Sequence, residues 1–214
     1  MDQDIEIINA NTRNEKIKNF FISYKKQLIV ILIIIFLCLF GFFFYEYYKS
    51  SQKEQLSNKY NQLVINYNSE KNKKIENDLI EIIYSKDKTY SPLAFYFLID
   101  NNLINSKEEI NSYFNILIEE VALDKEIKNL TIYKKALFNS DFANENELLN
   151  ILNPLIKSKS VWKAHALYLM AEYYLAKNQK QKSKEFFNSI VGLENISSKI
   201  KMESQKRLRS EFSE

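Results

Sequence analysis

An unbroken apolar run near the amino terminus constrains this chain more than any other feature. Residues 28–44 read LIVILIIIFLCLFGFFF, 17 residues without a charge or a hydrogen-bonding polar side chain. Because a helix rises about 1.5 Å per residue, Gln27 and residues 45–48 extend the run to the roughly 30 Å of a bilayer core. The sequence predicts a transmembrane helix here. It disfavours a cleaved signal peptide because bulky aromatic residues follow the run.

Basic residues flank the apolar run unequally. They accumulate on the cytoplasmic side of membrane helices, and here five precede the run and three follow it within a similar distance. We therefore expect residues 1–26 to be a short cytoplasmic segment, residues 27–48 to contact membrane lipid, and residues 49–214 to form one domain across the membrane. The basic residues are Arg13, Lys16, Lys18, Lys25 and Lys26 before the run, and Lys49, Lys53 and Lys59 after it.

The overall composition favours helices. The 214 residues include only 2 glycines and 2 prolines, too few for the turns that hairpins and phosphate-binding loops need. An apolar fraction of 46% is enough to form a buried core. The 30 basic and 27 acidic residues alternate without forming a basic strip, which argues against nucleic acid as a partner. We expect an all-α protein.

Apolar residues recur at helical spacing beyond the membrane segment. Leu56, Tyr60 and Leu63 follow the i, i+4, i+7 pattern of an amphipathic helix, and similar stripes continue along the chain. The stripes predict four helical pairs, in residues 56–83, 90–121, 129–157 and 163–191.

The second and fourth pairs resemble each other at an offset of 73 residues. INSYFNILI at residues 110–118 aligns with SKEFFNSIV at residues 183–191. Asn105 aligns with Asn178 at the same offset, and each is expected to close a helix in the left-handed conformation. The third pair lies between them, so that the repeat is close to the ~34-residue period of tetratricopeptide arrays.

Small residues fall where the two helices of such a repeat cross closely. In tetratricopeptide order, Ala171 and Ser183 occupy the two small positions and Phe187 the large one, whereas the middle repeat matches chiefly at Ala136. We therefore expect a tetratricopeptide-repeat-like α-solenoid of helical hairpins after the membrane helix. This pattern serves helix packing and implies a binding surface in place of a reactive centre.

Residues that could carry chemistry are sparse. His165 is the single histidine, and Cys38, the single cysteine, lies within the apolar run. No triad or metal-ligand spacing accompanies them. We expect no enzyme activity, no cofactor, no metal and no small-molecule substrate.

The first helix of each pair lines the concave face in tetratricopeptide arrays, where protein partners bind. An aromatic and amide groove there would suit an extended or unfolded peptide, although each aromatic residue could equally belong to the core. The residues expected to line the groove are Phe95, Ile99, Asn102, Tyr133, Tyr168, Glu172 and Leu175.

The chain as a whole resembles the YfgM-like family of bacterial inner-membrane proteins. A short basic amino terminus, one uncleaved helix and an all-helical domain with degenerate tetratricopeptide pairs carry the likeness. It is closest in YSPLAFYFLIDNNLI and VWKAHALYLMAEYYLAKNQKQKSKEFFNSIV, which are similar to the family's A-x-x-x-L-A-x-x-x-x-x-G segments.

The resemblance implies a periplasmic domain anchored in the inner membrane, with a cytoplasmic amino terminus. It implies association with the SecYEG translocon and with a PpiD-like periplasmic chaperone, in support of newly exported polypeptides. A tetratricopeptide scaffold for cell-envelope or division machinery is the alternative, and an enzyme of unrecognised type is a third and weaker hypothesis.

Overall fold

The computed structural model describes residues 2–67, 73–194 and 196–212, and over these residues the protein is all-α. They form nine α-helices and one π-helical segment and contain no β-strand, which confirms the predicted fold class. The helices are α1 (Asp2–Ile65), α2 (Lys73–Tyr84), α3 (Tyr90–Asp100), α4 (Lys107–Asn115), α5 (Lys125–Asn139), α6 (Glu145–Ile156), α7 (Lys163–Ala176), α8 (Lys180–Val191) and α9 (Ser198–Phe212), and the π-helical segment Ile116–Glu120 continues α4.

Helix α1 contains the apolar run and extends well beyond it at both ends. Its part Ile22–Ile65 is long and apolar enough to cross a membrane, judged by length and composition. All side chains from residue 29 to residue 50 are exposed, so that no part of the described protein covers them. The chain divides into two compact units, Met1–Gln55 and Leu56–Glu214. The boundaries after residues 26 and 48 stay predictions, since α1 is continuous through both.

Helical hairpins build the unit Leu56–Glu214. Helix α5 pairs with α6 and α7 pairs with α8, as the sequence predicts, and α9 packs on both α8 and α7. The amino-terminal half differs, because α3 packs mainly on α2, whereas the sequence pattern predicts a pair of α3 with α4. Helices α3 and α4 meet instead through aromatic side chains, with the rings of Phe95 and Phe114 edge to face at 4.7 Å.

A buried serine joins the helices of two of these hairpins. In α7 and α8, the Ser183 hydroxyl donates to the Ala171 carbonyl oxygen at 2.8 Å, and both residues are fully buried. In α2 and α3, the Ser91 hydroxyl donates to the Ile82 carbonyl oxygen at 2.9 Å. A small side chain lets the backbones approach, and its hydroxyl finds an acceptor on the opposite helix, which avoids the cost of an unpaired buried polar group. The expected close crossing at Ala171 and Ser183 is therefore present.

Two asparagines in the left-handed conformation end helices α3 and α7. Asn178 has φ +57°, as predicted, and Asn102 has φ +50°. At each of them the next N–H bonds back to the carbonyl five residues earlier, Leu103 to Leu98 and Gln179 to Tyr174, which is the Schellman arrangement. The expectation for Asn105 is wrong, because α3 ends earlier than the alignment implied and Asn102 takes the left-handed position.

The core consists of three hydrophobic clusters. The first joins the end of α1 with α2, α3, α4 and the π-helical segment, the second joins α5, α6 and α7, and the third joins α7, α8 and α9. Helix α7 contributes to two of them, since Met170 and Tyr173 lie in the second cluster while Leu167 and Ala171 lie in the third. A helix that is apolar on both sides is expected where neighbours cover both sides.

Enlarging the small residue at the crossing of α7 and α8 should destabilise the domain. We expect Ser183→Leu to lower the free energy of unfolding by about 1–3 kcal/mol, because the added methylenes have no space between the two backbones. Urea unfolding of the full chain in neutral detergent, followed by the fluorescence of the single tryptophan, measures this change. Ser189→Leu is the matched control on an exposed position of α8 and should change stability little; equal losses in the two variants would contradict the close crossing.

Glycine should be tolerated differently at the two asparagines that the sequence aligned. Asn178→Gly is expected to raise the free energy of unfolding by up to about 1 kcal/mol, because glycine adopts positive φ without the steric cost of a Cβ. Asn105→Gly should lower it, because glycine there only adds freedom to the unfolded chain. The same urea titration tests both variants, and a stabilising effect at Asn105 would overturn the observed helix end.

Candidate protein-binding surface

The amino-terminal members of the expected groove do not form an open surface. Phe95 is fully buried in the first core cluster, so it serves packing and not a groove. Ile99 is half-buried against the same cluster. Asn102 is exposed, but its left-handed backbone gives it a structural reason to be asparagine at the end of α3. The spacing predicts a helix here, and α3 is present, but the spacing does not tell which side of α3 faces solvent.

Tyr133 lies in a small aromatic cluster on α5 and α7. Its ring stacks on that of Trp162 at 5.5 Å with an interplanar angle of 24°. The His165 ring lies edge-on to Tyr133 at 5.9 Å and tilted against Trp162 at 5.1 Å. All three side chains are half-buried, so one side of the cluster stays accessible. Trp162 was not among the expected binding residues, although a tryptophan between Val161 and a lysine in a loop was a visible signal.

Helix α9 reaches the carboxyl-terminal members of the groove. The Arg207 guanidinium pairs with the Glu172 carboxylate, with Nε and Oε1 2.8 Å apart. The Tyr168 ring packs edge-on against the buried Phe187 at 5.5 Å, and burial raises the pKa of its hydroxyl. Leu175 is half-buried one turn further along α7. Helix α9 thus occupies the position of a further repeat helix, and Tyr168 and Glu172 bind it within the chain.

The seven expected residues therefore do not line one open groove in the described part of the chain. The structure brings Tyr168 and Glu172 together at α9, places Tyr133 beside Trp162, and places Phe95 in the core.

A different concavity lies where two inter-helix connections meet. It has a volume of about 680 Å³ and is lined by residues 158–165, which connect α6 to α7 and begin α7, and by residues between α8 and α9. Val161, which lines the concavity, is 70% exposed. Leu193, Ile196 and Ile200 are half-buried and form an apolar side of the concavity. We call this concavity the edge groove.

Charged and hydroxyl groups join α6, α7 and α8 on another side of the array. The Tyr174 hydroxyl donates to the Glu145 carboxylate at 3.0 Å, and the Lys182 ammonium binds the same carboxylate at 2.7 and 2.9 Å. The hydrogen bonds from Lys182 and Tyr174 lower the pKa of the Glu145 carboxyl. Burial, and then the hydrogen bond to Glu145, raise the pKa of Tyr174 to about 12. These groups have partners within the fold, which indicates a structural role.

The described residues offer no group of three His, Cys, Asp or Glu side chains that could hold a metal ion. His165 contacts aromatic rings, and its buried Nδ1 has no hydrogen-bond partner among the described residues. The half-buried rings of Tyr133, Trp162 and His165 offer an apolar, aromatic surface for binding. An all-helical repeat-like fold of this kind is typical of non-enzymatic scaffolds.

The domain should lose stability in alkali through Tyr174. A group whose pKa is raised on folding contributes stability below its unfolded pKa, about 10 for tyrosine, and loses it as the pH rises through the folded value. We therefore expect stability to fall between pH 10 and about 12. Urea unfolding at successive pH values should show a shallower fall for Tyr174→Phe. Tyr173→Phe, which removes the neighbouring hydroxyl that donates to the Ala143 carbonyl, should leave the fall in place; an unchanged slope in Tyr174→Phe would contradict this assignment.

One comparison with known proteins agrees with the repeat-like architecture over part of the chain. Residues 18–108 match the family model of a tetratricopeptide repeat-like domain, a range that includes the apolar part of α1 and continues through α3 into the start of α4. Of the two segments in which the sequence is most similar to the YfgM-like family, this range contains residues 90–104 and not residues 161–191. No curated protein and no solved structure matches the chain. The chain thus contains a tetratricopeptide repeat-like domain, a type that generally binds proteins.

Proposed function

We propose that the protein is a membrane-anchored protein-binding module of the bacterial inner membrane that works beside the Sec translocon. In this role it assists a PpiD-like periplasmic chaperone with newly exported polypeptides. The observation that carries the proposal is a helix apolar and long enough to span a bilayer, within the residues that match a tetratricopeptide repeat-like domain. One chain thereby combines an anchor with a binding fold.

The proposed topology follows the charges that flank the membrane segment. Residues 1–26 lie in the cytoplasm, residues 27–48 cross the membrane, and residues 49–214 lie in the periplasm. The excess of basic residues before the apolar run supports this orientation. The link to the translocon, to the chaperone and to exported polypeptides rests on the resemblance to the YfgM-like family.

Partner binding on this domain has accessible apolar residues to use. Leu93 on α3, Leu137 on α5 and Val161 before α7 are 43%, 50% and 70% exposed. Exposed apolar side chains are common on any surface, but a partner that covers them gains their burial at about 25 cal/mol per Å². They are better probe positions than Tyr168, which packs against α8 and lies beside the α7–α9 ion pair.

Photocrosslinking in living cells tests the proposal. A photoreactive amino acid placed singly at Leu93, Leu137 or Val161 is expected to give crosslinks to translocon subunits, to a membrane-anchored chaperone or to exported polypeptides, identified by mass spectrometry. Ser23, exposed in the segment proposed to be cytoplasmic, is the control position and should give no crosslinks to exported polypeptides.

Two results would contradict the proposal. Crosslinks solely to envelope or division proteins would favour the scaffold alternative. Crosslinks to exported polypeptides from Ser23 and from none of the other three positions would reverse the proposed topology.

A further inference from the structure

The edge groove lies where helices α7 and α9 begin. Helices α7 and α9 are separated in the chain by α8, which packs on both and returns the chain to the same edge. The connection before α7 and the connection before α9 therefore lie side by side, with the groove between them. Its volume of about 680 Å³ is in the range of ligand-binding clefts, roughly 300–1,000 Å³.

The interior of the edge groove is mainly apolar. Trp162 and Val161 come from the α6–α7 connection, and Leu193 and Ile196 come from the α8–α9 connection, with Ile200 from the first turn of α9. Val161 is 70% exposed and therefore accessible to a partner. An apolar side chain of a partner would bury this surface.

The rim of the edge groove is basic. Lys159 and Lys163 line it, and Lys157, Lys199 and Lys201 lie in the same two chain segments. None of the five forms an ion pair with a described residue. The acidic groups that face these segments are Glu194, which also lines the groove, and Glu126 of α5, which accepts a hydrogen bond from Ser160 at 2.7 Å. Over residues 157–163 and 193–201 of the sequence the five lysines outnumber Glu194 and the neighbouring Glu126, so positive charge is in excess in these two segments.

Unpaired donors lie beside this basic rim. Among the described residues, the backbone N–H groups of Ala164 and His165 in the first turn of α7 donate to no backbone carbonyl. Lys163 is the first residue of α7 and lines the groove. N–H groups in the first turn of a helix and lysine side chains both interact favourably with carboxylates. The rim therefore favours an acidic partner.

We propose that the edge groove binds an acidic, extended segment of a partner polypeptide, with an apolar side chain seated among Val161, Leu193 and Ile196. Carboxylates of the segment pair with Lys159 and Lys163. The groove is walled on two sides by the inter-helix connections, a shape that fits a narrow peptide chain better than a flat bilayer. The inference rests on the proposed function only in that the domain binds proteins, and it is independent of the translocon.

Trp162 provides a direct assay because it is the single tryptophan of the chain. The full chain in dodecyl maltoside micelles is titrated with the capped peptide EELDLEE, and in parallel with KKLKLKK, which keeps the leucines and reverses the charges. A saturable change in Trp162 emission with the acidic peptide alone is expected. Raising the salt from about 0.1 to 1 M, which shortens the Debye length from about 10 to 3 Å, should weaken this binding.

Charge reversal at the rim identifies the site. The double variant Lys159→Glu and Lys163→Glu is expected to weaken binding of the acidic peptide about tenfold or more, because attraction becomes repulsion. Lys180→Glu with Lys184→Glu makes the same change of charge on exposed positions of α8 and should retain the affinity. Val161→Asp should also weaken binding, and circular dichroism verifies that each variant is folded.

Several outcomes would overturn the inference. They are no response to the acidic peptide, equal responses to both peptides, or equal loss of affinity in the two lysine double variants. A response to phosphatidylglycerol mixed into the micelles, with none to the peptide, would assign the groove to anionic lipid. Crosslinks from Leu93 and Leu137 to the translocon in the absence of peptide binding would leave the proposed function standing, whereas peptide binding without such crosslinks would leave only this inference.

Discussion

Close contact between paired helices is the constraint on which the rest of the domain depends. Backbones can approach only where a side chain is small, and a small polar side chain must still find a hydrogen-bond partner in the dry interior. Ser183 in α8 and Ser91 in α3 meet both conditions by donating to a carbonyl of the opposite helix. These contacts hold the helices of the hairpins α2–α3 and α7–α8 close together.

The carboxyl-terminal helix determines which surfaces stay open. Helix α9 covers the last hairpin through half-buried apolar residues and through the pair between Arg207 and Glu172. It thereby uses side chains that an exposed groove would have offered to a partner. The same placement brings the beginning of α9 next to the beginning of α7, so covering one face forms a concavity at the edge.

The sequence predicts the helices well and the surfaces poorly, for physical reasons. Helical periodicity and the small residues Ala171 and Ser183 are local signals, and the structure confirms both. Phe95 is buried in the cluster that joins α2, α3 and α4, with its ring against Phe114 of α4, and the pattern of α3 alone does not tell which of its sides such a cluster covers. The left-handed backbone conformation of Asn102 likewise depends on the residue at which α3 ends. The edge groove joins two connections about 35 residues apart, and the periodicity of a single helix carries no information about such a distance.

Helix α7 forms a wall of two core clusters, with Met170 and Tyr173 on one side and Leu167 and Ala171 on the other. Repeat arrays can in principle open one unit at a time, because each unit touches only its neighbours. Because α7 belongs to both clusters, these units do not open separately: releasing α7 would expose the apolar surface of both clusters at once. The helices from α5 to α9 are therefore coupled into one cooperative unit, and the backbone amides of α7 should be the slowest in this unit to exchange with solvent.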